Sequence, residues 1–306
     1  MSKIYQALEK AGKEREMGLK KDFPPIPEPR MKREEQETVV ESKIGEGKIS
    51  NHMLVSFFQP GSLAAEQFRK LRSHLLRLDI PEPPKTIMVT SATNAEGKTF
   101  VAANLAVGIA NEFYTHALLV DCDLRNPSLA GWFDLPKSKG LSDYLTGNGD
   151  PSELIMKTDL ETLSVIAAGS IQDNPTELIG SKKMETLIQE LKRKHNDRYI
   201  IFDSTPLLAT TESEVLAKLV DGIILVVRAG VTPRETVQQA IRSLEKGKIL
   251  GVVLNDLNFK STALYARYFG SGSYYYRYGY GPRNSDHKGR WGKLFSSGRY
   301  RKKIKD

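Results

Sequence analysis

Nine consecutive residues, Ser91-Ala-Thr-Asn-Ala-Glu-Gly-Lys-Thr99, combine the residue types that hold phosphate groups. Gly-Lys-Thr between an apolar run and a helix-like run is the pattern in which backbone N–H groups and a helix start cradle phosphates. Lys98 is then placed to reach the outer phosphates of a nucleotide and Thr99 to ligate Mg2+. Ala92 stands where the general pattern has its first glycine. The residues expected to line the nucleotide are Asn94, Ala95, Glu96, Gly97, Lys98, Thr99 and Phe100.

Three carboxylates belong to the same chemistry. Residues 117–125, ALLVDCDLR, end an apolar run in Asp121 and Asp123, with Arg125 two residues on. Residues 199–206, YIIFDSTP, end another in Asp203. The carboxyl ends of parallel strands face the crevice where ligands bind in such sheets. Three carboxylates there can hold Mg2+ and leave one free as a general base; alternatively, strand-terminal aspartates cap turns. The residue types alone do not divide base and metal roles among the three. Arg228 and Asn255 follow apolar runs on the same edge and are candidates to approach the nucleotide base. Asn255 equally suits a turn.

The elements that must position these groups alternate from residue 85 onward. Short continuous apolar runs predict strands at 86–91, 117–121, 163–167, 199–203, 222–227 and 249–254. Helical spacing predicts helices at 62–79, 97–111, 140–147, 176–194, 212–219 and 233–246, with Ser62 as an N-cap. Strand–helix alternation implies an α/β fold of the P-loop NTPase class, a mostly parallel sheet flanked by helices on both faces. This domain is expected over 51–257. Before it, 1–17 suits a short amphipathic helix with Ile4, Leu8 and Ala11 at helical spacing, and 18–50 is a proline- and charge-rich linker.

Composition sets the limits. The chain has 306 residues, 40% of them hydrophobic, and a net charge of +8. Residues 288–306 carry eight Lys and Arg against one acid, leaving +1 for residues 1–287. The basic character belongs to this tail, whose Trp291, Leu294 and Phe295 suit an anionic membrane surface; a solubilising end has the same composition. No apolar run approaches the roughly 20 residues of a membrane span. The single cysteine, Cys122, suits a reducing, cytoplasmic setting.

Seven of the twelve tyrosines lie within 16 residues: Tyr265, Tyr268, Tyr274, Tyr275, Tyr276, Tyr278 and Tyr280. Glycine and serine between them favour an extensible segment over 258–287. A sticky low-complexity stretch and a surface stacking on single-stranded RNA have similar composition. Upstream, Glu66, Arg69 and Arg72 recur every third residue of a predicted helix. A solvated charged face is the simplest reading of that spacing.

Together these features resemble the bacterial tyrosine kinases that regulate capsule and exopolysaccharide export. That family carries an S-x-x-G-E-G-K-[ST] loop, strands ending in D-x-D-x-R and D-x-P-P, an E-x-x-R-x-x-R helix and a C-terminal tyrosine cluster. The resemblance spans about residues 60–280. Ala95 replaces the family's glycine, and Thr205 its first D-x-P-P proline. It implies ATP and Mg2+ as ligands, with Lys98 on phosphate, Thr99, Asp123 and Asp203 at the metal, and Asp121 as general base. It also implies a homo-oligomeric ring contacted through Glu66, Arg69 and Arg72, with each tail phosphorylated in trans. The implied partner is a membrane-embedded polysaccharide chain-length-determinant protein that recruits the kinase to the inner face of the plasma membrane. Nucleic acid is not expected. The rival is a septum-site or plasmid-partition positioning ATPase, but Thr93 stands where those proteins carry their signature lysine.

Overall fold

The computed structural model describes residues 48–78, 82–136, 138–149, 151–194 and 198–257. In chain order they form α1 (Val55–Phe58), α2 (Leu63–Leu76), β1 (Thr86–Ser91), α3 (Lys98–Ala110), β2 (His116–Asp121), α4 (Leu129–Trp132), α5 (Leu141–Thr146) and α6 (Pro151–Leu154). Then follow β3 (Met156–Lys157), β4 (Leu163–Ile166), α7 (Pro175–Ile179), α8 (Lys182–Lys194), β5 (Arg198–Asp203), α9 (Glu212–Leu219), β6 (Gly222–Arg228), α10 (Arg234–Arg242) and β7 (Ile249–Asn255). The strands form one sheet in the order β3-β4-β2-β5-β1-β6-β7. Only β3 runs antiparallel to its neighbour. The expected α/β class is the observed one.

Because successive strand residues point to opposite faces, each central strand feeds two cores. Ile87, Val89, Leu119 and Ile201 pack beneath α2 and α3; Met88, Leu118, Val120, Ile200 and Phe202 pack against α7, α8, α9 and α10. Helix α3 is apolar on all sides and is buried from Val101 to Ala110, as expected of a helix enclosed in a core. It starts at the phosphate loop, so burial of this rod fixes the loop's far end.

One local expectation is corrected and one strand, β3, has no counterpart among the expected ones. The helix expected over 176–194 is two helices. Gly180 donates its N–H to Thr176 O at 2.9 Å and closes α7, while Ser181 accepts the Met184 N–H at 3.2 Å and caps α8. A serine that bonds the backbone ahead of it starts a new helix better than it continues an old one. Strand β3 has only two residues, too few for any alternation to show. Ser62 caps α2, accepting the Ala65 N–H at 3.1 Å. No helix among the described residues is long and apolar enough to cross a membrane.

Candidate active site

The site lies at the carboxyl edge of the sheet, where β1, β5 and β2 end side by side. Register pairs Asp121 directly with Asp203, and Asp203 with Val89. The β1–α3 loop rises beside them. Within it Ala95 (φ 60°) and Gly97 (φ 92°) are left-handed on either side of Glu96. Left- and right-handed residues in succession turn neighbouring N–H groups to one side and make an anion-binding concavity. A left-handed alanine costs about 1 kcal/mol, and glycine at that position in the family avoids the cost. Lys98 and Thr99 open α3 and are part-exposed. Asn94 and Ala95 are exposed on the loop.

The three aspartates occupy different environments. Asp121 is buried, and its Oδ1 accepts the Asp123 N–H while Oδ2 accepts those of Ser128 and Leu129, each at 3.1 Å. Burial nevertheless pushes it up to about 6. Asp123 is half-buried and accepts the Asn126 N–H at 2.9 Å. Asp203 is 1% exposed, and its Oδ1 has no hydrogen-bond partner. Burial, then the Asp121 charge, push Asp203 up to about 8; the Thr99 side chain and the Lys98 charge oppose this. Cys122 lies between these groups, and burial pushes its thiol above the ordinary range, which leaves it inert.

A buried carboxylate oxygen without a donor, facing a second buried carboxylate, is the environment a cation relieves. No group of three or more His, Cys, Asp or Glu among the described residues could hold a metal alone. Mg2+ does not need one, because it takes one or two carboxylates, substrate phosphates and several waters. Asp203, Asp123 and the Thr99 hydroxyl therefore fit Mg2+ carried in with nucleoside phosphates.

Not every expected site residue faces this crevice. The Glu96 carboxylate turns inward and is buried; Oε2 accepts the Thr93 N–H at 2.7 Å and Oε1 accepts the Thr232 hydroxyl. Asn255 donates its side-chain N–H to Glu96 O at 2.9 Å. Arg228 pairs with Asp256 at 2.8 Å. The Phe100 ring packs on Phe68, centroids 5.6 Å apart. Thr232 and Asp256 give no local sequence signal, since Thr232 meets a residue 136 positions away. Arg125 pairs with the buried Glu212 at 2.7 Å, joining the Asp123 turn to α9. The expected acceptor tyrosines, Tyr265, Tyr268, Tyr274, Tyr275, Tyr276, Tyr278 and Tyr280, lie outside the described residues.

Glu66, Arg69 and Arg72 part company. Glu66 and Arg69 pair on the surface at 40% and 39% side-chain exposure, and Arg69 also donates to Pro60 O at 2.7 Å. Arg72 turns inward, donating to Gly108 O at 2.9 Å and pairing with Glu112 at 2.7 Å. A residue step of three falls about 60° short of a full turn, so six residues carry Arg72 well around the helix. A cation at the C-terminal end of α3 also suits that helix's dipole. Arg72→Ala is expected to lower unfolding free energy by about 2 kcal/mol. Glu66→Ala should stay within about 1 kcal/mol, as for an exposed pair. Denaturant titration checks both, and equal costs would contradict the assignment.

Comparison with known proteins places this geometry. A family model described as an AAA domain matches residues 84–249. The tyrosine-protein kinase YwqD of Bacillus subtilis is 32% identical over 224 residues, covering 72% of this chain and 93% of the relative. The kinase domain of the Escherichia coli tyrosine kinase ETK superposes with a TM-score of 0.62 at 28% identity, over 69% of this chain and 90% of that one. The chimerical protein CapA2B2 gives 0.63 at 31%, over 70% and 95%. The family model spans the phosphate loop and both carboxylate-bearing turns, and the chain belongs to the bacterial tyrosine kinases of capsule and exopolysaccharide biosynthesis.

Proposed function

We propose that this protein-tyrosine kinase transfers the γ-phosphoryl group of ATP to tyrosines of its own C-terminal cluster, in trans between copies in an oligomer. The observation that carries the reading is the unpartnered Asp203 Oδ1, buried beside Asp121 and within the field of Lys98. Lys98 and the loop N–H groups hold the phosphates; Asp203, Asp123 and Thr99 hold Mg2+. When bound, Mg2+ neutralises charge building on the phosphates. Asp121 Oδ1 accepts a single N–H and keeps a lone pair for the tyrosine hydroxyl proton. Its value of about 6 lies near neutral pH, where a general base works best. As the tyrosine oxygen bonds to phosphorus, the β–γ bridge breaks, ADP departs and Asp121 holds the proton. Arg228 and Asn255 are proposed on the nucleotide side through the turns they stabilise.

The domain limits are proposed as 51–257 for the kinase fold, 258–287 for the acceptor tail and 288–306 for a basic end that meets anionic lipid. The activating partner is a membrane-embedded chain-length-determinant protein, which brings the kinase to the inner face of the membrane and couples it to polymer export. Each phosphate adds a charge of about −1.5 to −2, so a phosphorylated tail is expelled from a carboxylate-lined site and the oligomer separates. Sedimentation should show smaller species after phosphorylation; an unchanged profile would refute this cycle.

The direct test incubates the full chain with Mg2+ and γ-labelled ATP, with and without the partner's cytoplasmic segment. Label is expected on tyrosine and should vanish in Lys98→Met and after truncation at residue 262. ATP hydrolysis without protein label in both conditions would overturn the reading.

A further inference from the structure

Glu96 occupies the middle of the phosphate loop, yet its side chain points away from any phosphate. Its Oε2 accepts the Thr93 N–H at 2.7 Å, and Oε1 accepts the Thr232 hydroxyl, with the Arg228 N–H 3.5 Å away. Its backbone carbonyl accepts the Asn255 side chain at 2.9 Å, and Asn255 O in turn accepts the Ala229 N–H at 2.9 Å. The Ser91 hydroxyl closes the loop's base on Thr93 O at 2.6 Å. One residue thus joins the start of the loop, the β6–α10 turn and the end of β7. It sits between the two left-handed positions, Ala95 and Gly97. Ala95 is the costlier of the two to hold when no ligand organises the loop, because its Cβ resists the left-handed conformation that glycine adopts freely.

From this arrangement we infer that Glu96 and Thr232 are positioning residues for the nucleotide, forming a strap that holds the loop in its phosphate-binding shape before ligand arrives. The inference rests on the site being a nucleotide site and adds the means by which it is preformed. A carboxylate serves here because it accepts on both oxygens at once, and both partners are donors. Threonine serves at 232 because its hydroxyl reaches this buried oxygen from the neighbouring turn. Without the strap, Mg·ADP must order the loop as it binds, and affinity falls by the fraction of loop already in the competent shape.

The test measures Mg·ADP affinity by titration calorimetry and ATP kinetics on the full chain, in wild type, Thr232→Val, Thr232→Ser and Glu96→Gln. Valine keeps the shape of threonine but donates nothing, and a lost bond to a charged acceptor corresponds to about a tenfold rise in Kd. Thr232→Ser should bind within about twofold of wild type. Glu96→Gln offers one acceptor and one donor and should fall between. The KM for ATP should follow Kd while kcat changes less, since the strap serves ground state and transition state alike. A Kd for Thr232→Val within about twofold of wild type, with or without a lower melting temperature, would overturn the inference. So would an equal loss in Thr232→Ser. If wild type itself bound no Mg·ADP, the nucleotide reading would fail first.

Discussion

Asp203→Asn should make the metal-free protein more stable at pH 8 while lowering tyrosine phosphorylation at least about 100-fold. The two effects have one origin. In the folded chain Asp203 is buried beside Asp121, its Oδ1 has no donor, and its value lies near 8 rather than 3.8. The folded state therefore binds this proton more tightly than the unfolded state. The associated stability is complete below about pH 4 and is lost as pH rises through about 8. Asp121, raised to about 6, adds a loss of the same sign over a lower window. Asparagine has the shape of the protonated acid and nothing to ionise, so it escapes the loss. It cannot supply the negative charge that Mg2+ needs. Melting temperatures of wild type and Asp203→Asn, without metal at pH 5 and pH 8, should diverge much more at the higher pH. Mg·ADP should stabilise wild type more at pH 8 than at pH 5. A variant that melts lower than wild type at pH 8, or that retains activity, would remove Asp203 from the role given to it.

Gly97→Ala should cost about 2–3 kcal/mol and weaken nucleotide binding more than tenfold. At φ 92° a side chain brings its own backbone strain. A Cβ there would also lie 2.0 Å from the Asn255 side-chain nitrogen and 3.3 Å from its Cγ. Asn255 can rotate away, but only by abandoning its 2.9 Å bond to Glu96 O. The steric and hydrogen-bond costs therefore share one partner. Adding Asn255→Ala to Gly97→Ala should cost less than the two single changes summed, whereas independent sites would add. Strict additivity in urea titrations would show that the collision does not occur.

The same residues show what was legible in the chain. Strands β1, β2, β5 and β6 are unbroken apolar runs because both faces of a central strand are covered, and that leaves a plain mark on sequence. The carboxylates at their ends inherit their positions from that pattern. Glu96 reads as a nucleotide contact in the sequence because it sits within the phosphate-binding motif. Its actual direction depends on Thr232 and Asn255, 136 and 159 positions away, and no local pattern encodes such partners. Arg72 was grouped with Glu66 and Arg69 by even spacing, whereas 3.6 residues per turn carry it off their face. The break at Gly180 and Ser181 was hidden because the residues on both sides keep helical spacing.

Helix α3 spans 13 residues, or about 20 Å, from Lys98 to Ala110. Arg72 fastens α2 to its far end through Gly108, and Phe68 fastens the same α2 near its beginning through Phe100. The two helices consequently behave as a braced beam, with the phosphate site at one support. The exposed Glu66–Arg69 pair belongs to the brace and not to the beam. A partner that gripped that pair and shifted α2 would act on the phosphate end through these two contacts. By reciprocity of linked equilibria, nucleotide that stiffens the beam must alter the brace's affinity for whatever grips it by the same factor.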